Sequence, residues 1–200
     1  MVARQQDPKK LKLRKQIREL RRGIAPEYAV QASYRISEQV ALLPGYLSSQ
    51  RISAFLPFDG EISPLPLLDR AIQDGKSVFV PLMGGSSEPL RFAPWTRASE
   101  VRKNSFGIVE PVVAEEQLIS ACNLDLALFP LVAFDQTCNR MGVGGGYYDR
   151  SFAFVNERGS ATAPILIGLA YELQRVDALR PADWDVPLDA VVTELQAYHR

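Results

Sequence analysis

Pro164-Ile165-Leu166-Ile167-Gly168-Leu169-Ala170 is an almost unbroken apolar run of strand length. A strand with one wet face alternates apolar and polar residues. A continuous run suits a strand covered on both faces, as in the middle of a parallel sheet. Working outward, Leu124-Asp-Leu-Ala-Leu-Phe129, Arg51-Ile-Ser-Ala-Phe-Leu56 and Ser77-Val-Phe-Val-Pro-Leu82 read as further strands, and Asp189-Ala-Val-Val-Thr193 as the last. Leu90-Arg-Phe-Ala-Pro-Trp95 alternates, and its proline has no N–H for a ladder, which predicts an edge strand.

Helical patterns separate these runs. In residues 9–24, Leu13, Ile17, Leu20 and Ile24 form an apolar stripe, surrounded by Lys9, Lys10, Lys12, Arg14, Lys15, Arg18, Arg21 and Arg22. A second helix starts near Pro26 and ends before Pro44-Gly45. A third is capped by Ser63, has Pro64 as its first residue and stops at Gly75. A fourth runs from Tyr147 to Arg158, with Gly159 as its stop. The alternation predicts an α/β protein: a mainly parallel sheet with helices on both faces, a Rossmann-like three-layer sandwich. With 200 residues and no linker or repeat, residues 1–200 read as a single domain.

Composition removes several function classes. The 23 basic and 23 acidic residues cancel, so whole-protein attraction to nucleic acid is not indicated. No apolar run approaches the roughly 20 residues of a membrane span, and the basic N-terminus lacks the apolar stretch of a signal peptide. A cytoplasmic monomer is the expectation, with an organellar transit sequence as the alternative for location. His199 is the one histidine, near the end of the sequence, and Cys122 and Cys138 are the two cysteines. Ser–His–Asp, Cys–His and zinc chemistry are therefore disfavoured. Both cysteines read as small buried apolar residues. Chemistry is left to carboxylates, Lys, Arg, Tyr, backbone dipoles or a hard metal ion.

The sharpest local signal is Arg140-Met141-Gly142-Val143-Gly144-Gly145-Gly146-Tyr147-Tyr148-Asp149. Four glycines before a helix let backbone N–H groups approach an anion, Arg140 adds fixed charge for phosphate, and Asp149 stands where it can hold Mg²⁺. Neither a P-loop Gly-Lys-Ser/Thr nor a dinucleotide G-x-G-x-x-G is present. A surface turn is the bland alternative.

Asp125-Leu-Ala-Leu-Phe-Pro-Leu-Val-Ala-Phe-Asp135 followed by Arg140–Arg150 resembles the signature of the 5-formyltetrahydrofolate cyclo-ligase family. Lys10-Leu-Lys-Leu-Arg14, Ile52 to Glu61, Asn104-Ser-Phe-Gly-Ile-Val-Glu-Pro111, Gly168-Leu-Ala-Tyr171 and Val186 to Glu194 are similar to its other elements, in the same order. The resemblance implies an ATP- and Mg²⁺-dependent ligase that converts 5-formyltetrahydrofolate to 5,10-methenyltetrahydrofolate through a phosphorylated formyl group. It also implies Lys10 and Arg140 as catalytic residues, and ATP contacts from Lys10, Arg14 and residues 140–148. Folate contacts are implied for Arg14, Leu56, Glu61, Phe106, Gly144, Gly145, Gly146 and Tyr147, and metal ligation for Asp149 and Asp189. Against these stand ordinary fates: a solvated face for Lys10 and Arg14, core packing for Leu56, Phe106 and the tyrosines, and a loop acid for Glu61. The chain departs from the family pattern at Ser63-Pro64, Val143, Gly145 and Trp184-Asp185.

Phosphosugar isomerases and CoA-transferase-like proteins also place glycine loops at strand ends, and a folate- or nucleotide-binding regulator without turnover is the non-enzymatic alternative. RNA binding by the basic helix is disfavoured, because stacking aromatics are not interleaved with its charges.

Overall fold

Each strand suggested by the sequence joins one seven-stranded sheet, in a computed structural model that describes residues 7–85, 88–104, 107–156 and 163–200. The chain opens with helices α1 (Pro8–Arg22), α2 (Pro26–Ala41) and α3 (Pro44–Ser48). Strand β1 (Arg51–Ser53), helix α4 (Leu65–Gln73) and strands β2 (Ser77–Leu82) and β3 (Arg91–Pro94) follow. Next come β4 (Val101–Lys103), β5 (Val109–Pro111), β6 (Leu126–Pro130), β7 (Ala133–Phe134) and β8 (Arg140–Met141). Helix α5 (Tyr147–Phe152) precedes β9 (Ile165–Leu169), β10 (Ala190–Val192) and β11 (Ala197–His199). No helix among the described residues is long and apolar enough to cross a membrane.

The sheet order is β11-β10-β9-β6-β1-β2-β3. Its five inner strands are parallel, and β3 and β11 close the edges antiparallel. From β1 the chain moves one way to β2 and β3, then returns to lay β6 on the other side of β1. Loops leaving β1 and β6 therefore diverge at the centre of the sheet, and such a switch point opens a crevice at the carboxyl ends of the strands.

Side chains alternate between two cores because strand period is two. Leu126 and Leu128 of β6, Ile167 and Leu169 of β9, and Ala190 and Val192 of β10 meet Ile36 and Val40 of α2 and Leu67 and Leu68 of α4. Ala127, Phe129, Leu166 and Val191 point the other way, toward Phe92 and Phe152. Phe152 packs 4.8 Å from Phe129 and 5.9 Å from Phe92, centroid to centroid. Fully burying such a ring contributes about 1.5–3 kcal/mol. The second face is the thinner one, covered by short α5, 3₁₀ turns and loops.

Several boundaries differ from the sequence reading. Strand β1 stops at Ser53 instead of Leu56. Ala54 N–H still reaches Phe79 O at 3.1 Å, and the chain then leaves the ladder before Pro57, which has no N–H. Helix α5 ends at Phe152, whose backbone (φ −111°, ψ 12°) leaves helical geometry, and a 3₁₀ turn at Ala153–Val155 follows. The stop assigned to Gly159 lies outside the described residues. Residues 189–193 are not the last strand: β11 folds back on β10 through a turn in which Thr193 Oγ1 accepts from Leu195 N and Gln196 N. Helix α3 and the small β4–β5 and β7–β8 hairpins were not anticipated either, since elements this short carry no periodicity. Cys138 is buried as expected, whereas Cys122 is exposed in a 3₁₀ turn at Ala121–Asn123.

Candidate functional site

Helix α1 links the two loops that leave the centre of the sheet. Asp7 caps it through Lys9 N–H (2.9 Å), and Pro8 takes the first helical position. Its apolar stripe docks Leu13 and Ile17 on Val132, Ala133 and Met141. That docking aims the early basic residues at the segment after β8 and the later ones at the segment after β1.

At the second contact the basic residues converge on Asp59. Arg18 Nε donates to Asp59 Oδ2 (2.7 Å), Arg22 pairs with Oδ1, and Arg21 donates to the Asp59 carbonyl from Nε (3.2 Å) and Nη2 (2.9 Å). Asp59 holds a left-handed backbone (φ 54°), which aspartate tolerates better than most residues. Burial would raise its pKa, but the bonds from Arg22 and Arg18 hold the carboxyl below its usual range. Two residues on, Glu61 folds back so that Oε2 accepts from Phe58 N (3.1 Å), with Oε1 3.9 Å from Arg21 Nη1. Burial pushes Glu61 up to about 7, against the opposing pull of Arg21 and the Phe58 N–H. The raised value means the folded state binds this proton more tightly than the unfolded one, so this group's contribution to stability falls as pH rises from about 4.5 to 7. Glu61 lines a cleft of about 270 Å³ together with Ser33, Tyr34, Ser63, Arg97 and Tyr171. Ser63 N–H is satisfied by Ser33 Oγ (3.3 Å).

The other loop hangs from the β7–β8 hairpin. Buried Asp135 ties that hairpin together by accepting from Thr137 N (3.0 Å), Asn139 N (3.1 Å) and Leu179 N (2.8 Å). Burial acts to raise the Asp135 pKa, and these bonds overcome it. Arg140 leaves the hairpin and stacks over the Phe129 ring, 4.7 Å from its centroid. It pairs with Asp149 (Nη2 to Oδ1, 2.6 Å) and donates from Nη1 to Val186 O. Val186 N–H closes the triangle onto Asp149 Oδ1 at 3.2 Å. Desolvation lowers the Arg140 pKa, and Asp149 and Asp185 counter it.

Residues 142–146 then run exposed or half-exposed. Gly144 (φ 110°) and Gly146 (φ 65°) take conformations other residues resist, and Gly146 caps α5. Arg14 Nε donates to Gly142 O (2.8 Å), and Lys10 Nζ to Arg180 O (3.2 Å). Burial lowers the Arg14 pKa while Asp185 supports its charge. Beside Arg140 a cleft of about 260 Å³ is lined by Asn139, Asp183, Asp185 and Arg200.

Lys10, Arg14, Arg140, Met141, the four loop glycines, Val143, Tyr147, Tyr148 and Asp149 thus share one neighbourhood. Met141 is buried against α1, and Val143 is 62% exposed. Tyr148 packs 4.6 Å from Phe129, and burial raises its pKa under the fields of both Glu61 and Arg140. Leu56 packs partly against the core below the Glu61 loop. Phe106 lies outside the described residues. Asp189 is placed elsewhere: it precedes β10, and its Oδ2 accepts from Leu166 N (2.7 Å) at the amino ends of β9 and β10. Asp185 is the acid that accompanies Asp149 around Arg140. Residue-by-residue reasoning passed over Asp185 because its neighbour departs from the family pattern. It passed over Arg21 because nothing in a run of charges marks the one that is buried.

The described residues contain no group of three or more His, Cys, Asp or Glu side chains suited to a metal. An ion here would rest on Asp149 and Asp185 and complete its shell from phosphate and water. Mg²⁺ at phosphate sites is commonly held by one or two carboxylates with phosphate and water, the kind of donor these two residues would offer.

Comparison with known proteins matches residues 6–194 to the 5-formyltetrahydrofolate cyclo-ligase family. The 5-formyltetrahydrofolate cyclo-ligase of Escherichia coli is 34% identical over 178 residues, covering 88% of this chain and 96% of the relative. The Haemophilus influenzae protein of the same name is 32% identical, covering 90% and 95%. The solved structure of Aquifex aeolicus 5,10-methenyltetrahydrofolate synthetase superposes with a TM-score of 0.78 at 27% identity, covering 95% of this chain and 92% of that one.

Proposed function

Because the chain belongs to the 5-formyltetrahydrofolate cyclo-ligase family, we propose that it converts 5-formyltetrahydrofolate to 5,10-methenyltetrahydrofolate with ATP as co-substrate and Mg²⁺ as the metal. The formyl oxygen is a poor leaving group. Transfer of the γ-phosphoryl group to it breaks a bond to ADP and forms an oxygen–phosphorus bond. N10 then attacks the formyl carbon, the carbon–oxygen bond breaks, phosphate departs and the N10 proton is released. Such a sequence asks the protein for alignment and charge compensation, and for no protein nucleophile.

In this reading Lys10, Arg14, Arg140 and residues 141–148 hold the nucleotide, with the backbone N–H groups of residues 142–146 facing phosphate. Two of the five Arg140 N–H donors are used by Asp149 and Val186. Lys10 and Arg140 carry the catalytic charge. Asp149 and Asp185 would hold Mg²⁺, which neutralises phosphate charge when bound; Asp189, engaged with Leu166, is not assigned that part. Glu61 accepts pterin N–H groups, and Leu56, Arg14, Phe106, Tyr147 and Gly144–Gly146 line the folate. The enzyme would act as a cytoplasmic monomer without nucleic acid or membrane.

The observation that carries this reading is the placing of the two loops: the Glu61 segment follows β1, the glycine loop follows the neighbouring strand β6, and α1 touches both, through Arg21 on Asp59 O and Arg14 on Gly142 O. An acid fit for a pterin and an anion loop fit for ATP thus leave the sheet from neighbouring central strands.

Purified protein, ATP, Mg²⁺ and 5-formyltetrahydrofolate are expected to give a rise in the near-ultraviolet absorbance of the methenyl product that stops when ATP is omitted or the metal chelated. Tight folate binding without product would make the protein a regulator. Neither product nor folate binding would sink the assignment.

A further inference from the structure

Arg21 stands out among the basic residues of α1. Its side chain is 1% exposed, whereas Arg22 and Lys15 are largely in water. Besides the two bonds to the Asp59 carbonyl, its Nη1 donates to Leu131 O at 3.4 Å. Asp59 lies beyond the end of β1, and Leu131 follows β6 directly. One guanidinium therefore bridges the two segments that diverge at the switch point, with Glu61 3.9 Å away. A buried cation is expensive, and a well-packed apolar side chain usually stabilises a fold as well or better. The cost becomes intelligible if the charge serves the group beside it.

We infer that Arg21 is a positioning residue for the reaction: it locks the loops leaving β1 and β6 together and presents Glu61 to the substrate as a carboxylate. This rests on the folate role proposed for Glu61. The charged and titratable groups around Glu61 are Arg18 and Arg21 of α1, Asp59 of its own loop and Tyr148 of α5, with Tyr34, Arg97 and Tyr171 around the cleft. Arg21 is the largest charge favouring ionisation, opposed by burial. Removing it moves the Glu61 midpoint upward, and a carboxylate that accepts pterin N–H groups is lost as pH falls through that midpoint.

The experiment pairs NMR of carboxyl-labelled glutamate in the unliganded enzyme with 5-formyltetrahydrofolate binding across pH. Glu61 should titrate near 7 in the wild type, and in Arg21→Gln at least about one unit higher. Arg21→Gln should bind folate at least about fivefold more weakly at neutral pH, recover by about pH 9, and keep the wild-type KM for ATP. An unmoved Glu61 midpoint, or an equal loss of folate affinity at both pH values, would overturn the inference. If Arg21→Gln does not fold, Arg21→Lys decides. It keeps the charge and loses the fork, so the midpoint should hold while the folate KM rises and the ATP KM does not. Equal rises in both KM values would overturn the inference too. Glu61→Gln separates the two ideas: wild-type folate affinity there removes Glu61 from the pocket, while the NMR midpoint still decides whether Arg21 sets its charge.

Discussion

The Asp59–Glu61 segment and the 142–146 loop follow neighbouring central strands and are held in different ways. The first is held by side chains: three arginines of α1 converge on Asp59, and Arg21 ties it to the strand next door. The second has Arg140 with Asp149 beside it, and side chains reach it only at carbonyl groups, Arg14 at Gly142 O and Arg150 Nη1 at Gly145 O. A flat aromatic ring with fixed N–H groups is recognised by an acid held in one place. A phosphate chain is better met by amide groups that nothing obstructs.

The largest expected effect comes from breaking the two ends separately. Arg140→Ala strands Asp149, and loss of one partner of a largely buried pair costs about 3–5 kcal/mol of stability. In protein that remains folded, kcat/KM for ATP should fall about 100-fold, as when one charge-stabilising donor is removed, with folate binding much less affected. Glu61→Ala should show the reverse, weakening folate and sparing ATP. Steady-state kinetics with each substrate varied in turn reads both variants. Equal losses for both substrates in either one would dissolve the distinction between the loops.

Asp59→Asn is the sharper test of the side-chain clamp. Asparagine keeps the left-handed backbone available and removes the charge that three arginines share. A loss of about 1–3 kcal/mol is expected in urea denaturation, with a raised KM for folate and an unchanged KM for ATP. Unchanged stability would mean that the Asp59 carbonyl, not the carboxylate, does the holding.

The smallest effect should come from within the backbone loop, where the glycines should differ. Gly144→Ala forces a side chain onto φ 110°, a strain of about 1–3 kcal/mol. Gly142→Ala meets nothing within 4 Å and should lie within about 0.5 kcal/mol of wild type. Thermal melts and ATP KM values that rank the two the other way would show that the loop is set by packing instead of by backbone conformation.

Wherever a run of residues was long enough for periodicity, the sequence was readable. The β9 run announced a strand buried on both faces, the α1 stripe announced its helix, and the proline of β3 marked an edge. Residue type also located the glycine loop with Arg140 and Asp149 on either side of it, whereas their pairing with each other is visible only in the structure. Failures fell on distant pairings and short pieces: Thr193 turning the chain into β11, Phe152 ending α5 early, and Cys122 in an exposed 3₁₀ turn.

By itself, then, the sequence determined the α/β class, the central strands and the chemistry that histidine scarcity leaves possible, since those follow from local pattern and residue type. Tertiary structure alone decided which charge of α1 is buried, that Asp189 seals the amino end of the sheet while Asp185 joins Arg140, and that Glu61 holds its proton to about pH 7. Those outcomes depend on desolvation and on partners 23 to 110 residues away along the chain, which no local pattern encodes.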